Sequence, residues 1–258
     1  MINVDTTDRV MTVTFNRPDA LNAMNNGQYA GLRDALKEAE DNAEVAVVVV
    51  TGAGRAFCAG QDLDEMKNMN TNGNDGPRYF PEMLEALTRF RKPLIAAVNG
   101  LGVGIGMTML SHCDLVLMSS TAKLRTPFPQ LGLAPEAGSS HTFPAVMGWQ
   151  DAAYVLMSGR WFGAQECLNM GLVWRVCEPD QLMNKTYTVA RELAANPIPS
   201  LIATKELLLA AGRPDHALAA HAREQNAYAS LLGAPANREA VTAFLEKREP
   251  VFDKIPGL

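Results

Sequence analysis

Two glycine-rich segments could present main-chain N–H groups to a ligand. They are residues 55–63 (RAFCAGQDL) and 99–106 (NGLGVGIG), and each follows an apolar stretch typical of a buried strand. The second leads into a helical pattern, whose first N–H groups lack partners within the helix and can bind an anion or a developing oxyanion. For either segment alone, the alternative is that its glycines serve only turns and tight packing.

Glu136 is the carboxylate whose surroundings suggest acid–base chemistry. It lies in residues 133–140 (LAPEAGSS), among proline, glycine and small or apolar residues. Apolar surroundings raise the pKa of a carboxyl group toward the range in which it can accept and return a proton. The alternative is a solvated loop charge, which is the usual environment of a glutamate.

A dinucleotide site is excluded by the glycine spacing. Starting the G-x-G-x-x-G pattern at Gly100, Gly102 or Gly104 places a residue other than glycine at its last position, and no Walker A lysine follows. The four cysteines are far apart and form no CxxC pair, which argues against a zinc site or a disulfide framework and predicts buried small side chains: Cys58, Cys113, Cys167 and Cys177.

Other polar clusters do not have the spacing of a reactive site. Ser139, Ser140 and His141 are adjacent, which is not the arrangement of a hydrolase triad, and we predict structural roles for them. His216 and His221 are five residues apart on a predicted helix instead of the four that would place both on one face as metal ligands. We predict surface histidines and no metal site.

The composition is that of a globular protein with a substantial core. The chain has 258 residues, of which 47% are hydrophobic and 20% are charged. A net charge of -5 without a Lys/Arg run argues against a nucleic-acid partner. The first residues show no targeting pattern, and apolar stretches are too short for a membrane span, so we expect a cytoplasmic protein with no membrane partner.

Strand and helix patterns alternate in the first half of the chain, which favours an α/β layered structure. Apolar alternation or β-branched runs predict strands at residues 10–15, 45–50, 94–98 and 115–118, and helical periodicity appears at 27–42 and 104–112. Residues 66–77 have no core pattern and are predicted to form a surface loop. These elements must bring the glycine-rich segments and Glu136 together.

After about Asp180, successive helical patterns replace the alternation. They span residues 181–195, 200–211, 215–232 and 236–247, separated by proline and glycine. We therefore predict a core over residues 1–195, with the site, and a C-terminal helical region over 196–258. Apolar stripes of that region would cover the core or a second subunit.

The order of motifs across nearly the whole chain resembles the crotonase superfamily, also called the enoyl-CoA hydratase/isomerase family. The shared motifs are NRP at 16–18, LNA at 21–23, FCAGQDL at 57–63, KP at 92–93, AAVNG at 96–100, CD at 113–114, GLV at 171–173 and FLEKR at 244–248. The resemblance implies an α/β fold, a crotonase-like spiral of ββα units with a C-terminal helical oligomerisation region. It also implies a homotrimer or homohexamer.

The same resemblance implies an acyl-CoA thioester as substrate. The thioester oxygen would be held by the main-chain N–H groups of Gln61 and Ile105, and coenzyme A would be part of the substrate, with no other cofactor and no metal. The implied contacts with the substrate and its CoA portion are Arg17, Ala59, Gly60, Gln61, Asp62, Leu63, Gly104, Thr108, Phe128 and Lys247. Asp62 is also predicted to pin its own loop, and the alternative for Lys247 is a solvated basic surface.

The chain departs from the hydratase pattern at two positions. Hydratases of this family carry two glutamates, where this sequence has Thr108 and Phe128. The segment from Thr126 to Pro144, which contains Glu136, resembles peroxisomal-type 3,2-trans-enoyl-CoA isomerases, in which the matching glutamate is the base. We predict isomerisation of 3-enoyl-CoA to 2-trans-enoyl-CoA with Glu136 moving a proton from C2 to C4. The alternatives are a hydratase or other crotonase-type activity, or a non-catalytic acyl-CoA binding protein.

Overall fold

A six-stranded sheet lies at the centre of the computed structural model, which describes residues 1–62, 65, 78–246, 248–253 and 255. Its strand order is β1-β2-β3-β5-β7-β10, with β1 antiparallel to β2 and the other neighbours parallel. The strands are β1 Ile2–Thr7, β2 Val10–Phe15, β3 Val47–Gly52, β5 Leu94–Val98, β7 Leu115–Ser119 and β10 Arg175–Cys177.

A second sheet of four short strands lies beside the first, in the order β4-β6-β8-β9. These strands are β4 Ala56–Cys58, β6 Leu101–Val103, β8 Lys123–Arg125 and β9 Phe162–Gly163. Each of β3, β5 and β7 is followed by a short strand of this sheet, and the chain then enters helical structure. This repeated strand-strand-helix order confirms the predicted ββα fold.

Ten helices surround the sheets in the part of the chain that the structure describes. They are α1 Asn26–Asp41, α2 Phe80–Arg89, α3 Ile105–Thr108, α4 Ser139–Met147, α5 Trp149–Ser158, α6 Ala164–Asn169, α7 Leu182–Ala194, α8 Ile198–Leu209, α9 Arg213–Leu231 and α10 Pro235–Glu246. The described chain also contains three 3-10 turns between strands and helices: Pro18–Ala20, Met109–His112 and Pro129–Leu131.

Strand β3 is buried on both faces, which explains its run of valines. Val48 and Val50 belong to the larger core cluster, together with the aromatic residue Phe57. Val47 and Val49 belong to a second cluster on the opposite face of the sheet, which α7 covers with Leu182, Val189 and Ala190. Because successive side chains of a strand point to opposite faces, one apolar run supports both layers.

The predicted strands and helices are confirmed to within a few residues, with informative exceptions. Both glycine-rich segments, predicted as turns, contain a short strand, β4 or β6, because their main chains pair with each other. The pattern at 104–112 forms α3 followed by the 3-10 turn at Met109–His112 instead of one α-helix. The sequence patterns did not predict the strands β1, β8, β9 and β10 or the helices α2, α4, α5 and α6. The loop predicted at 66–77 lies outside the described residues.

Candidate active site

The main-chain N–H group of Gln61 points away from its neighbouring strand. Met24 N donates to Gly60 O at 2.7 Å, and Asp62 N donates to Met24 O at 3.0 Å, which forms a parallel bridge between Met24 and Gln61. In this pattern the middle residue directs its own N–H to the opposite side. Among the described residues, no acceptor is present for that N–H group.

The loop around Gln61 is held on both sides. Ala59 N donates to Leu21 O at 3.0 Å, and the Gly60 N–H contacts the sulfur of Cys58. Arg17 Nη1 lies 2.8 Å from Asp62 Oδ2 and donates to Ala23 O at 2.8 Å, which joins the loop to the NRP and LNA motifs.

Asp62 also pins the chain that follows it. Its Oδ1 accepts a hydrogen bond from Glu65 N at 3.2 Å. The prediction that Asp62 fixes its own loop is therefore confirmed. The guanidinium of Arg17 pairs with this carboxylate. If Arg17 also contacts the substrate, its guanidinium has to interact with Asp62 and the substrate at the same time.

Gly104 turns the chain from β6 into α3. Its backbone angles are φ 54° and ψ −119°, a conformation that residues with a Cβ rarely adopt. Gly104 N donates to Arg125 O at 3.0 Å, and Gly104 O accepts from Met107 N and Thr108 N. Ile105 is the first residue of α3, and its N–H group finds no acceptor in the described ranges.

The two glycine-rich segments and Glu136 meet at one place. A methyl group built on Gly104 would lie 3.8 Å from Glu136 Oε1 and 4.0 Å from Gly60 Cα. The residues that precede the two unpaired N–H groups are therefore neighbours, and a carboxyl oxygen lies beside them. Such an arrangement can stabilise negative charge on an oxygen while the carboxylate moves a proton nearby.

The environment of Glu136 raises its pKa to about 8. Burial of the carboxyl group is the main cause, the negative charge of Glu224 adds to it, and the hydroxyl of Thr108 opposes it. The residue as a whole remains partly exposed. Burial raises the pKa values of Tyr29 and Tyr228, and the nearby Glu136 raises them further.

Thr108 and Phe128 are the two residues that the resemblance matched to the glutamates of hydratases. Thr108 is completely buried on α3, and its Oγ1 faces Glu136 without a hydrogen bond of standard geometry. Phe128 is buried and directly precedes the 3-10 turn Pro129–Leu131. Neither side chain can act as a carboxylate.

The chain that carries Glu136 adopts an unusual conformation. Ala137 has φ +59° and Gly138 has φ +72°, both in the left-handed region. Ser139 Oγ donates to Glu136 O at 2.6 Å, and His112 Nε2 lies 2.8 Å from Ala137 O. The predicted structural role of Ser139 is confirmed.

Two residues that support this loop, His112 and Glu224, were missed by sequence reasoning. Glu224 accepts hydrogen bonds from Gly138 N at 2.7 Å and from Ser140 N at 2.8 Å. The signal for Glu224 was its position on the same helical face as Ala217 and Ala220. His112 has no comparable signal, because its partner is a main-chain oxygen distant in the sequence.

The remaining candidates fall into three groups. His216 is exposed as predicted, but His221 is mostly buried beside Phe80 and Glu224, because α9 packs against the core here, so its assignment to the surface is wrong. Leu63 and Lys247 lie outside the described residues.

The four cysteines are buried and unpaired as predicted. The described side chains form no group of three or more potential metal ligands, and no helix in these ranges could cross a membrane.

Comparisons with known proteins show which family the chain resembles in sequence and fold. The sequence model of a family described as "Enoyl-CoA hydratase/isomerase" matches residues 5–255. The chain is similar to 1,2-epoxyphenylacetyl-CoA isomerase from Escherichia coli (strain K12), with 34% identity over 250 residues that cover 94% of each protein. It is also similar to short-chain-enoyl-CoA hydratase from Clostridium acetobutylicum, with 33% identity over 243 residues that cover 93% of each.

A solved structure shares the fold. It is described as an enoyl-CoA hydratase/isomerase from Pseudoalteromonas atlantica T6c, with a TM-score of 0.91 and 36% sequence identity. The match covers 97% of this chain and 99% of that one. The names of these proteins include both isomerases and hydratases.

Proposed function

The chain belongs to the enoyl-CoA hydratase/isomerase family, and from this premise we propose that it isomerises 3-enoyl-CoA to 2-trans-enoyl-CoA. Glu136 is the base and proton shuttle, and the N–H groups of Gln61 and Ile105 form the oxyanion hole. The observation that carries the proposal is the carboxyl group of Glu136 beside Gly104, close to Gly60.

The chemistry needs one carboxylate and two fixed donors. The carboxylate of Glu136 accepts a proton from C2, and the electron pair of the broken C–H bond moves toward the thioester oxygen. The N–H groups of Gln61 and Ile105 stabilise the resulting charge, and each such donor is typically worth about 10²- to 10³-fold in rate. Glu136 then returns the proton to C4, which shifts the double bond to C2 and regenerates the carboxylate.

The residues at the other two positions favour isomerisation over hydration. Hydration in the two-glutamate pattern needs a second carboxylate to share the tasks of activating water and supplying a proton. Thr108 and Phe128 are both buried and cannot ionise in the relevant range. The nearby Glu224 is bound by two main-chain N–H groups, so it is not positioned as a second catalytic group.

We assign the remaining predicted contacts to the same site. The acyl and CoA portions of the substrate would contact Arg17, Ala59, Gly60, Gln61, Asp62, Leu63, Gly104, Thr108, Phe128 and Lys247. Coenzyme A belongs to the substrate, and no other cofactor takes part in the proposed reaction.

We further propose assembly into a homotrimer or homohexamer. Exposed apolar side chains on α5 and α8 support this assembly: Trp149, Met157, Leu207 and Leu208. A monomeric mass in sedimentation equilibrium would contradict this assembly.

The reaction is tested with 3-hexenoyl-CoA, by following formation of the conjugated 2-enoyl product. We expect turnover by the wild type, and a rate reduced about 10²- to 10⁴-fold in Glu136→Gln with binding of the CoA ester retained. Glu192→Gln, which removes an exposed carboxylate on α7, is the matched control and should keep full activity.

Other outcomes would contradict the proposal in distinct ways. Equal activity of wild type and Glu136→Gln would remove Glu136 from the mechanism. Loss of conjugation from 2-enoyl-CoA, without isomerisation of the 3-enoyl ester, would identify a hydratase. Binding without any reaction in the wild type would indicate an acyl-CoA binding protein.

A further inference from the structure

Glu224 is a buried carboxylate in the C-terminal helical region. It lies on α9 with 5% of its surface exposed. A buried carboxylate is costly unless hydrogen bonds stabilise its charge, and both oxygens of Glu224 accept one from the main chain. The donors are Gly138 N at 2.7 Å and Ser140 N at 2.8 Å, which lie two and four residues after Glu136 in the sequence.

Close packing of α9 against the same loop leaves little freedom for movement. A methyl group built on Gly138 would lie 2.6 Å from Ala217 O, so the main chains of the loop and the helix are almost in contact. Ala217 and Ala220 are buried on this face of α9, two turns and one turn before Glu224, respectively. The left-handed conformation of Ala137 costs about 1–3 kcal/mol, so contacts from outside the loop must hold it.

The charges of Glu224 and Glu136 also interact. Burial acts to raise the pKa of Glu224, but its interactions with His221, Ser140 and Gly138 outweigh burial, and its pKa lies below the ordinary value. Glu224 is therefore negatively charged near neutral pH, and this charge adds to the effect of burial on Glu136. Two neighbouring carboxyl groups in different surroundings thus hold protons over different pH ranges.

We infer that Glu224 is a positioning residue for proton transfer by Glu136. It holds the loop that carries Glu136 through two main-chain hydrogen bonds, and it places a negative charge near the carboxyl group of Glu136. The inference rests on the proposed catalytic role of Glu136 and extends it, because it assigns part of the active site to α9. Glu224 itself does not contact the reacting atoms.

Several other titratable groups interact with this pair or with its neighbours and must be considered in any pH experiment. Tyr29 on α1, Cys58 on β4 and Tyr228 on α9 interact with Glu136, whereas His221 on α9 and His112 on the 3-10 turn after α3 interact with Glu224. Arg213 on α9 in turn interacts with His112. His221 Nδ1 lies 3.8 Å from Glu224 Oε2. None of these side chains is changed in the variants below.

Two substitutions separate the effect of the charge of Glu224 from the effect of its side-chain length. Glu224→Gln keeps the length of the side chain and removes the charge. Glu224→Asp keeps the charge but is shorter by one methylene, so it cannot accept both hydrogen bonds in the same geometry. Glu192→Gln on α7 removes an equal charge from an exposed position and serves as the control.

The titration of Glu136 can be measured without any activity. In protein labelled with ¹³C at the glutamate carboxyl groups, the signal of Glu136 is the one absent from Glu136→Gln. We expect Glu136 to titrate at a lower pH in Glu224→Gln than in wild type, by about half a unit or more, and at an unchanged pH in Glu192→Gln. In Glu224→Asp we expect the kcat for isomerisation to fall at least about tenfold with a smaller change in KM, because the loop is displaced.

The outcomes distinguish this inference from the proposed function. Identical titration of Glu136 in wild type and Glu224→Gln would overturn the charge effect. Unchanged kcat in Glu224→Asp, with unchanged Gly138 and Ser140 amide signals, would overturn the positioning role. If wild type shows no isomerisation, the proposed reaction fails, and the titration with the amide signals still decides whether Glu224 holds this loop. Should Glu224→Gln fail to fold, Glu224→Asp and its amide signals decide the question.

Discussion

As the proposed base, Glu136 has to lose its proton before it can react, and its raised pKa determines the pH at which that occurs. With a pKa of about 8, the carboxyl group is mostly protonated at pH 6 and mostly ionised at pH 9. We therefore expect kcat/KM for 3-enoyl-CoA to rise about tenfold per pH unit below pH 7 and to level off above pH 8 to 9. Initial rates at subsaturating substrate across pH 6 to 9.5 measure this profile.

The control for the pH profile is Glu192→Gln, which should follow the wild-type curve. A rate that does not change over this range would show that ionisation of Glu136 does not limit the reaction. An ionisation near the ordinary glutamate value would show that the carboxyl group is better solvated than the structure indicates.

The hydroxyl of Thr108 lowers the pKa of Glu136, which leads to a second prediction for single residues. Thr108→Val keeps the shape of the side chain and removes the hydroxyl, so the carboxylate loses a stabilising contact. We expect the ionisation seen in kcat/KM to move to higher pH by about half a unit to one unit, with rates at pH 9.5 nearly unchanged. Thr108→Ser retains the hydroxyl and should match wild type. An unchanged profile in Thr108→Val would contradict this role.

Sequence could predict Glu136 but not the residues that set its properties. The flanking residues Pro135 and Gly138, with the motif order around them, distinguish it from solvated glutamates. The effects of Glu224 and Thr108 depend on distances across three elements that only folding establishes. Local patterns contain no information on such contacts, so they predicted Glu136 as the base without the residues that surround it.

At the scale of elements, the docking of α3 on β4 requires glycine at residue 106. A methyl group built there would lie 2.2 Å from Cys58 O and 3.0 Å from Cys58 Cβ. We expect Gly106→Ala to lower the free energy of unfolding by about 1–3 kcal/mol or more and the Tm by about 2–4 °C per kcal/mol. Isomerase activity should also fall, because the N–H group of Ile105 is displaced. Thermal unfolding and the 3-hexenoyl-CoA assay measure the two effects.

Gly27→Ala on α1 is the matched control for this substitution. Among the described residues, the added methyl group would meet only Asn25 Oδ1, at 3.5 Å, which is an ordinary contact. Because alanine favours a helix over glycine, its Tm should be unchanged or slightly higher. Equal stability of Gly106→Ala and Gly27→Ala would show that α3 does not pack closely on β4.

The elements that the sequence predicted well have strong and regular patterns. β3 is a run of valines and α1 has a clear apolar face, so both were placed within two residues. β4 and β6 have three residues each, and glycine within β6 conceals the strand pattern. Their pairing, a tertiary contact, creates the strands, which explains why they were predicted as turns.

On the scale of the whole molecule, the motif order predicted the fold and helical periodicity predicted the C-terminal helices. Neither predicted that a C-terminal helix would contact the loop that carries Glu136. α9 contacts the loop after Glu136 through Glu224 and Ala217. The division of the chain into a core at 1–195 and a helical region at 196–258 remains a prediction. Because of these contacts, the proposed site depends on residues from both regions.

A buried base also affects the stability of the whole molecule. The pKa of Glu136 is about 8 in the folded protein and ordinarily 4.5, so the folded state binds this proton more tightly than the unfolded chain. Below pH 4.5 both states are protonated and the native environment carries no ionisation penalty. As pH rises to about 8, the unfolded state ionises first, and the folded state loses about 1.4 kcal/mol of stability per pH unit from this group.

Glu136→Gln cannot ionise, so its stability relative to wild type should increase between pH 5 and 8 and stay constant above that range. We expect a difference of a few kcal/mol at pH 8.5, which denaturant unfolding at fixed protein concentration can measure. Glu192→Gln, which removes an exposed carboxylate, should show little pH dependence relative to wild type. A constant difference between Glu136→Gln and wild type would mean that Glu136 ionises as readily in the folded protein as in the unfolded chain. The base would then be too well solvated for the proton shuttle, because its raised pKa and this loss of stability have the same physical cause.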